Sequence, residues 1–255
     1  MQRSAVRPSP VFFGLLALTV VGGVLAALSH PTTTKDTMLT AGVFLLVLGG
    51  WAVSLTLHEF GHAIVAYRGG DHSVAAKGYL NMDVRHYADP VLSLVLPLVF
   101  LALGGIPLPG GAVWINRWAL RSRAASSWVS LAGPLSNLVL GILLSLAVVY
   151  IPMSVGLAIG MSYLALLEIL TFVLNILPVP GLDGFGAIEP FLSPDAREFA
   201  AKVRPWAPLA LFALLFAVAP VRTAFWDAAS YLFRLIGGDE ELAYYGQLTF
   251  MFWRR

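Results

Sequence analysis

Long apolar blocks alternate with short polar runs along this chain. Residues 11–28 form the first block. At ~18 residues it can cross the hydrocarbon core of a bilayer. It also exceeds the 7–15 apolar residues of a signal peptide, so it reads as an uncleaved transmembrane helix, with Ala26–Ser29 as the competing cleavage site. Residues 42–66 form a second span, ~37 Å long at 1.5 Å per residue. Residues 127–150 and 154–177 form two more, joined at the uncharged turn Ile151–Pro152. Residues 205–218 are a further apolar run, closed by Pro220. Residues 221–236 place Arg222, Asp227 and Arg234 among apolar residues at helical spacing, which predicts an amphipathic helix at the interface. Phe252 and Trp253, followed by two arginines, predict an interfacial anchor.

Two stretches break this rhythm. Residues 74–84 are short and mixed, with Gly78 in the middle, and predict an extended strand or hairpin. Residues 92–105 are apolar but too short to span, Pro97 interrupts them, and the Pro/Gly-rich residues 106–111 follow. Positive charge marks the cytoplasmic side of a membrane protein. The basic clusters are Arg3/Arg7, Arg68/Lys77/Arg85, Arg117/Arg121/Arg123 and Arg197/Lys202/Arg204. Two spans separate the first cluster from the second. A single crossing between the second and third would leave three arginines outside. A re-entrant element over residues 92–111 keeps them inside, and irregular backbone is tolerated at that depth where protein or a cavity surrounds it.

Composition agrees with this reading. The chain is 58% hydrophobic and 12% charged, against about 25% charged in soluble domains. The expected fold is an all-α polytopic membrane protein. It has about five transmembrane helices, the re-entrant segment and a short β-hairpin. It forms one integral domain over residues 1–255, with a core of about 42–190 and a C-terminal part from 205 to 255. The net charge of +2 is spread over short loops, which favours the lipid bilayer as partner and excludes nucleic acid. The absence of cysteine excludes disulfides and thiolate metal ligands.

Candidate chemistry sits in the second span. His58-Glu59-Phe60-Gly61-His62 reads H-E-x-x-H. Histidines at i and i+4 share one helical face, so both imidazoles can bind one Zn2+, and the adjacent Glu59 can take a proton from metal-bound water. By chance such a motif turns up in about one of several hundred chains of this composition. Within a transmembrane helix chance is a weaker explanation still, because ionisable residues are costly there. Catalytic zinc sites use three protein ligands. Asp183 lies just past the cytoplasmic end of its span, as His58 and His62 lie near that end of theirs. Pro178, Pro180 and Gly181 unwind the chain there, which makes Asp183 the candidate third ligand. Asn137 shares a face with Gly133 and Gly141. It reads either as a helix-packing amide or as an amide that orients substrate or polarises the scissile carbonyl. Asn175 invites the same two readings. Glu168, within a span, faces a polar cavity or pairs with an arginine and carries no assigned catalytic role. His72 and His86 read as solvated loop residues.

The H-E-x-x-H motif, Gly133-Pro134-Leu135-Ser136-Asn137 and residues 175–184, ending Leu182-Asp183-Gly184, together resemble the site-2 protease family of intramembrane zinc metalloproteases. His86-Tyr87-Ala88-Asp89-Pro90 is similar to a loop of its compact bacterial members. The resemblance implies one Zn2+ held by His58, His62 and Asp183, with Glu59 as general base. It further implies that Asn137 and Asn175 help to hold a membrane-anchored protein substrate, cut within its transmembrane segment in regulated intramembrane proteolysis. The expected location is the cell membrane, with the N-terminus and active site toward the cytoplasm. Neither the PDZ nor the CBS domain of many members is present, and residues 106–118 match the family pattern only loosely. The alternatives are a catalytically inactive relative that binds membrane helices, and an ion transporter. The lack of internal repeats weighs against the transporter.

Overall fold

The structure is a computed structural model and describes residues 6–29, 36–87 and 113–254. Helix α1 (Pro10–Leu28) starts where Ser9 Oγ accepts from the Phe12 amide at 3.1 Å, with Pro10 at the first helical position. Helix α2 (Thr37–Gly69) begins five residues before the apolar block, because Asp36 caps it by accepting from Leu39 N at 2.8 Å. It ends at Gly70, whose φ of 121° only glycine adopts freely. The two helices run antiparallel in close contact. A Cβ on Gly22 would lie 2.2 Å from Leu46 N, and one on Gly42 would lie 2.4 Å from Ala26 N. Small residues therefore let these backbones touch, as they commonly do within a bilayer.

Helices α4 (Arg123–Tyr150) and α5 (Val155–Asn175) follow the irregular region after α2, which contains the short α3 (Ser73–Ala76). Of the apolar window of α5, 72% is buried against 11% for α1, so α5 is the central post and α1 an outer stave. Leu167, Ile169, Leu170 and Leu174 on α5 are buried in the main core with Val43, Val47 and Trp51 of α2. Four described helices (α1, α2, α4 and α5) are long and apolar enough to cross a membrane. Helices α7 (Pro194–Val203) and α8 (Ala207–Ala217), bent by 63° at their junction, make a fifth if the pair is counted as one span. This is an all-α, multi-pass membrane architecture. The short α6 (Asp183–Ile188) returns the chain to the site.

Residues 73–86 correct the expected hairpin. Among the described residues they hold α3 and 3-10 turns at Tyr79–Asn81 and Val84–His86, with no strand. The reason is local capping. Asp71 accepts from Ser73 N and Ser73 Oγ at 3.0 and 2.6 Å, and Asp83 accepts from Arg85 N at 3.1 Å. Side chains that bond nearby amides compete with a strand ladder. Gly78 and Met82, both left-handed, turn the chain twice within five residues. The expected re-entrant segment, residues 92–111, lies outside the described residues.

Helix α9 (Ala219–Leu235) is amphipathic as expected, but its apolar stripe of Phe225, Ala229 and Phe233 is buried in the protein core. Helix α10 (Glu240–Phe250), which hydropathy did not single out, also packs inward. A Cβ on Gly246 would lie 2.2 Å from Ile159 O, and Phe250 stacks on Phe44 at 5.4 Å.

Candidate metal centre

Helix α2 carries His58, Glu59 and His62 on consecutive turns, all buried. Each imidazole is oriented through Nδ1. His62 Nδ1–H donates to the Val129 carbonyl at 2.6 Å, and a carbonyl can only accept. His58 Nδ1–H donates to Asn137 Oδ1 at 2.6 Å, because the Asn137 Nδ2 group is already donating to Ser54 Oγ at 2.9 Å and Glu168 Oε2 at 2.8 Å. With both Nδ1 atoms protonated, the neutral rings leave their Nε2 lone pairs free. Those Nε2 atoms lie 3.1 Å apart. Asp183 completes the group, with Oδ2 3.1 Å from His58 Nε2 and Oδ1 3.4 Å from His62 Nε2. Among the described residues this is the one cluster whose donor atoms all lie within 4.8 Å of one another.

The donor set fits zinc. Two unprotonated nitrogens facing each other at this distance cannot share a hydrogen bond, and a cation between them would satisfy both lone pairs. Tetrahedral bonds of 2.0–2.1 Å would put two nitrogens about 3.3 Å apart, close to the separation here. Orientation of a ligating imidazole through its second nitrogen is the usual arrangement at zinc.

Asp183 reaches the histidines through a break in the chain. Asn175 ends α5, Gly181 adopts a φ of 104°, and Leu182 N donates to Val179 O at 2.9 Å to close a turn. Asp183 then opens α6, which is held against α4 where Ser127 Oγ donates to Ala187 O at 2.6 Å. Beyond it Glu189 is clamped by Arg117 and Arg204.

A cavity of about 340 Å3 opens beside the cluster, and His58, Glu59, His62, Val113, Asn175 and Asp183 are among its lining. The two asparagines part company here. Asn175 is 1% exposed, lines this cavity, and its Nδ2 has no hydrogen-bond partner. Asn137 lies behind His58, with its amide spent on His58, Ser54 and Glu168, and is not part of the cavity lining. Sequence reading left Glu168 unassigned and passed over Ser54. A carboxylate inside an apolar span was the available signal for the first. For the second it was a hydroxyl four residues before His58 on the same face.

The cavity's outer wall depends on the polar turn after α2. Asp71 accepts from Asn116 N at 2.7 Å and ties down the stretch that carries Val113, Trp114 and Ile115. Burial tends to raise the Asp71 pKa, but the bonds from Ser73 and Asn116 hold it below the usual carboxylate value. Tyr87 is buried and donates to Tyr79 O at 2.8 Å, and burial followed by the Glu59 charge pushes its phenol up. His72 stacks edge-on against Tyr67 at 4.9 Å and His86 sits 3.8 Å from Asp83, so neither joins the metal cluster.

Two proteins from strains of Mycobacterium tuberculosis, with the assigned name zinc metalloprotease Rip2, are each 46% identical to this chain. The matches cover 99% of this chain and 96% of theirs. The Mycolicibacterium smegmatis protein of that name is 41% identical over 98% of this chain and 96% of its own. The Bacillus subtilis protein with the assigned name zinc metalloprotease YwhC is 35% identical over 57% of this chain and 68% of its own. No family model and no solved structure matches the chain. Near-complete coverage at this identity, on a bundle that gathers two histidines and an aspartate around one point, leads to one assignment: the chain belongs to the site-2 protease family and is a membrane zinc metalloprotease.

Proposed function

We propose that this protein is an intramembrane endopeptidase that cuts within the transmembrane segments of membrane-anchored proteins, as in regulated intramembrane proteolysis. His58, His62 and Asp183 hold the zinc, and Glu59 acts as general base. The observation that carries this reading is the convergence of the three donors within 4.8 Å beside a cavity that Glu59 and Asn175 also line. Bound there, zinc supplies Lewis acidity, lowering the pKa of a bound water toward 7 and polarising a peptide carbonyl.

The chain's own residues do the rest. Glu59 takes the proton of the attacking water and passes it to the leaving amine. The free Nδ2 of Asn175 donates to a carbonyl of the substrate, which relieves its own unpaired burial. A peptide bond in a transmembrane helix is satisfied by its own helix, so the substrate unwinds before it enters. It lies along residues 113–115, the cavity wall that Asp71 anchors. The site faces the cytoplasm, because the turns around it carry Arg68, Lys77, Arg117, Arg121 and Arg123, and the positive-inside rule puts such clusters on that side.

The test uses a membrane-anchored model substrate and the purified full chain. Glu59→Gln should lower cleavage by about 10²–10⁴-fold while zinc content stays at the wild-type level. Asp183→Ala should lose zinc by elemental analysis. Turnover retained by Glu59→Gln would overturn the role of Glu59. Unchanged metal in Asp183→Ala would overturn that ligand. If neither variant's fragment pattern differs from wild type in whole-membrane proteomics, the inactive-relative reading takes over.

A further inference from the structure

Glu168 sits within α5, 2% exposed, in the middle of an apolar bundle. The position is costly, since a carboxylate in a transmembrane segment needs partners to offset its loss of water. Its partners form a closed set drawn from three helices. Ser54 Oγ of α2 donates to Glu168 Oε2 at 2.5 Å, and Asn137 Nδ2 of α4 donates to the same oxygen at 2.8 Å. The second hydrogen of Asn137 Nδ2 goes to Ser54 Oγ at 2.9 Å. The other end of that amide, Oδ1, accepts from His58 Nδ1 at 2.6 Å.

We infer that Glu168 is a positioning residue for the metal centre, setting the direction of the hydrogen bonds that leave His58 with a free Nε2. This rests on the reading of His58 as a zinc ligand. The argument turns on a difference between the two histidines. His62 is oriented by the Val129 carbonyl, which can only accept and therefore makes Nδ1 the donor without help. His58 is oriented by a side-chain amide, which has an acceptor end and a donor end of nearly the same shape. Turned over, Asn137 would offer Nδ2 to His58 Nδ1. His58 would then have to accept at Nδ1 and carry its proton on Nε2, where the ligating lone pair has to be.

Glu168 forbids that turn. Its Oε2 already accepts from both Ser54 and Asn137, and a flipped Asn137 would face that same oxygen with Oδ1, oxygen against oxygen. Ser54 reinforces the same sense, giving its own hydrogen to Glu168 and its lone pair to Asn137. Every bond in the set runs from His58 toward Glu168. A buried carboxylate thus fixes a tautomer two hydrogen bonds away, through Asn137, without touching the metal or the substrate.

The experiment reads metal binding as well as activity. Full-length protein in detergent is stripped of metal and titrated with Zn2+ against a chelating dye. Co2+ titration then records the visible ligand-field bands. Glu168→Gln keeps the shape but can present either end to Asn137. It should weaken zinc binding about tenfold or more, within the 10–100-fold range for groups that orient metal ligands, and should alter the Co2+ bands. The swap Asn137→Asp with Glu168→Gln gives His58 an acceptor-only partner again and keeps the charge count, so it should restore affinity to within about threefold, a fraction of that range. A Glu168 that only fills space and joins helices predicts no change in zinc affinity for Glu168→Gln. That result, or a swap that fails to restore binding, overturns the inference. His58→Ala separates the two layers. If it binds zinc like wild type, the ligand assignment itself fails. If it loses zinc while Glu168→Gln does not, only the role of Glu168 fails.

Discussion

Gly133 offers the sharpest test of the metal geometry, because the site leaves no room for a single methyl group there. A Cβ built on Gly133 would lie 2.3 Å from His62 Nε2, 2.5 Å from His58 Nε2 and 2.6 Å from His62 Cε1. Contacts of that kind are essentially never shorter than 3.0 Å, so in Gly133→Ala the two nitrogens must retreat by about 0.7 and 0.5 Å. Metal–ligand distances tolerate about 0.2 Å. Neither ring can swing away cheaply, because each is held at Nδ1 by a 2.6 Å hydrogen bond. The substitution should therefore displace at least one ligand and weaken zinc binding by more than ~100-fold, the upper end for changes that only disturb ligand orientation.

The helix itself should survive. Alanine is favoured over glycine in a helix by about 1 kcal/mol. Pro134 follows directly, and a side chain before proline costs part of that gain. The assay is zinc titration of the metal-stripped protein, paired with thermal unfolding of the stripped form. The expected result is lost affinity with little change in the unfolding of the stripped protein. Gly23→Ala is the control. It lies on α1, and its added Cβ meets only Leu157 Cδ1 at 3.6 Å and Leu46 Cδ1 at 3.8 Å, ordinary contacts that involve neither a metal ligand nor a residue that orients one. Zinc binding by Gly133→Ala at wild-type affinity would mean that the ligating nitrogens do not point toward α4, and the geometry argued above would fall.

Two further expectations concern the cavity wall. Asn175→Ala removes an unpaired buried donor without touching the metal ligands, so kcat should fall by about 10²–10³-fold, as for loss of one donor to a developing oxyanion, with zinc content unchanged; a drop in zinc content, or unchanged kcat, would contradict the assigned role. Asp71→Ala removes the acceptor of three bonds and should destabilise the turn by about 1.5–3 kcal/mol, read as faster hydrogen exchange at residues 113–116. The sign of the accompanying pH dependence is set by the lowered pKa of Asp71. Its contribution is complete above the ordinary carboxylate value near ~3.9 and is lost as pH falls through the lower folded value. The acid limb of unfolding should therefore be shallower in Asp71→Ala, and an identical limb would show that this carboxylate is not linked to folding.

The parts of this architecture legible from sequence share one property, which is that each is periodic or bounded by depth. Apolar length located α1, α2, α4 and α5, and the i, i+4 spacing put His58 and His62 on one face. Charge parity placed Asp183 at the same membrane level before any contact was known, and the structure brings its carboxylate within 3.4 Å of both histidines. Residues 74–84 differ from the expected strand because a short, mixed run around Gly78 says nothing about the caps that Asp71 and Asp83 provide. Helix α10 was overlooked because its burial depends on Gly246 meeting α5, a contact 87 residues away in the chain from Ile159 to Gly246.

The asparagines mark the boundary most clearly. Asn137 and Asn175 looked equivalent in the sequence, each an amide on an apolar helix that could pack or could bind substrate. What separates them is how many of their hydrogen bonds the protein itself consumes. Asn137 has its Nδ2 and Oδ1 committed to Ser54, Glu168 and His58, so its chemistry is directed at a metal ligand. Asn175 is equally buried and lines the cavity, but its Nδ2 is uncommitted. A buried donor left unpaired costs about 1–3 kcal/mol unless something fills it. That cost is the physical argument for giving the proposed substrate contact to Asn175 rather than to Asn137.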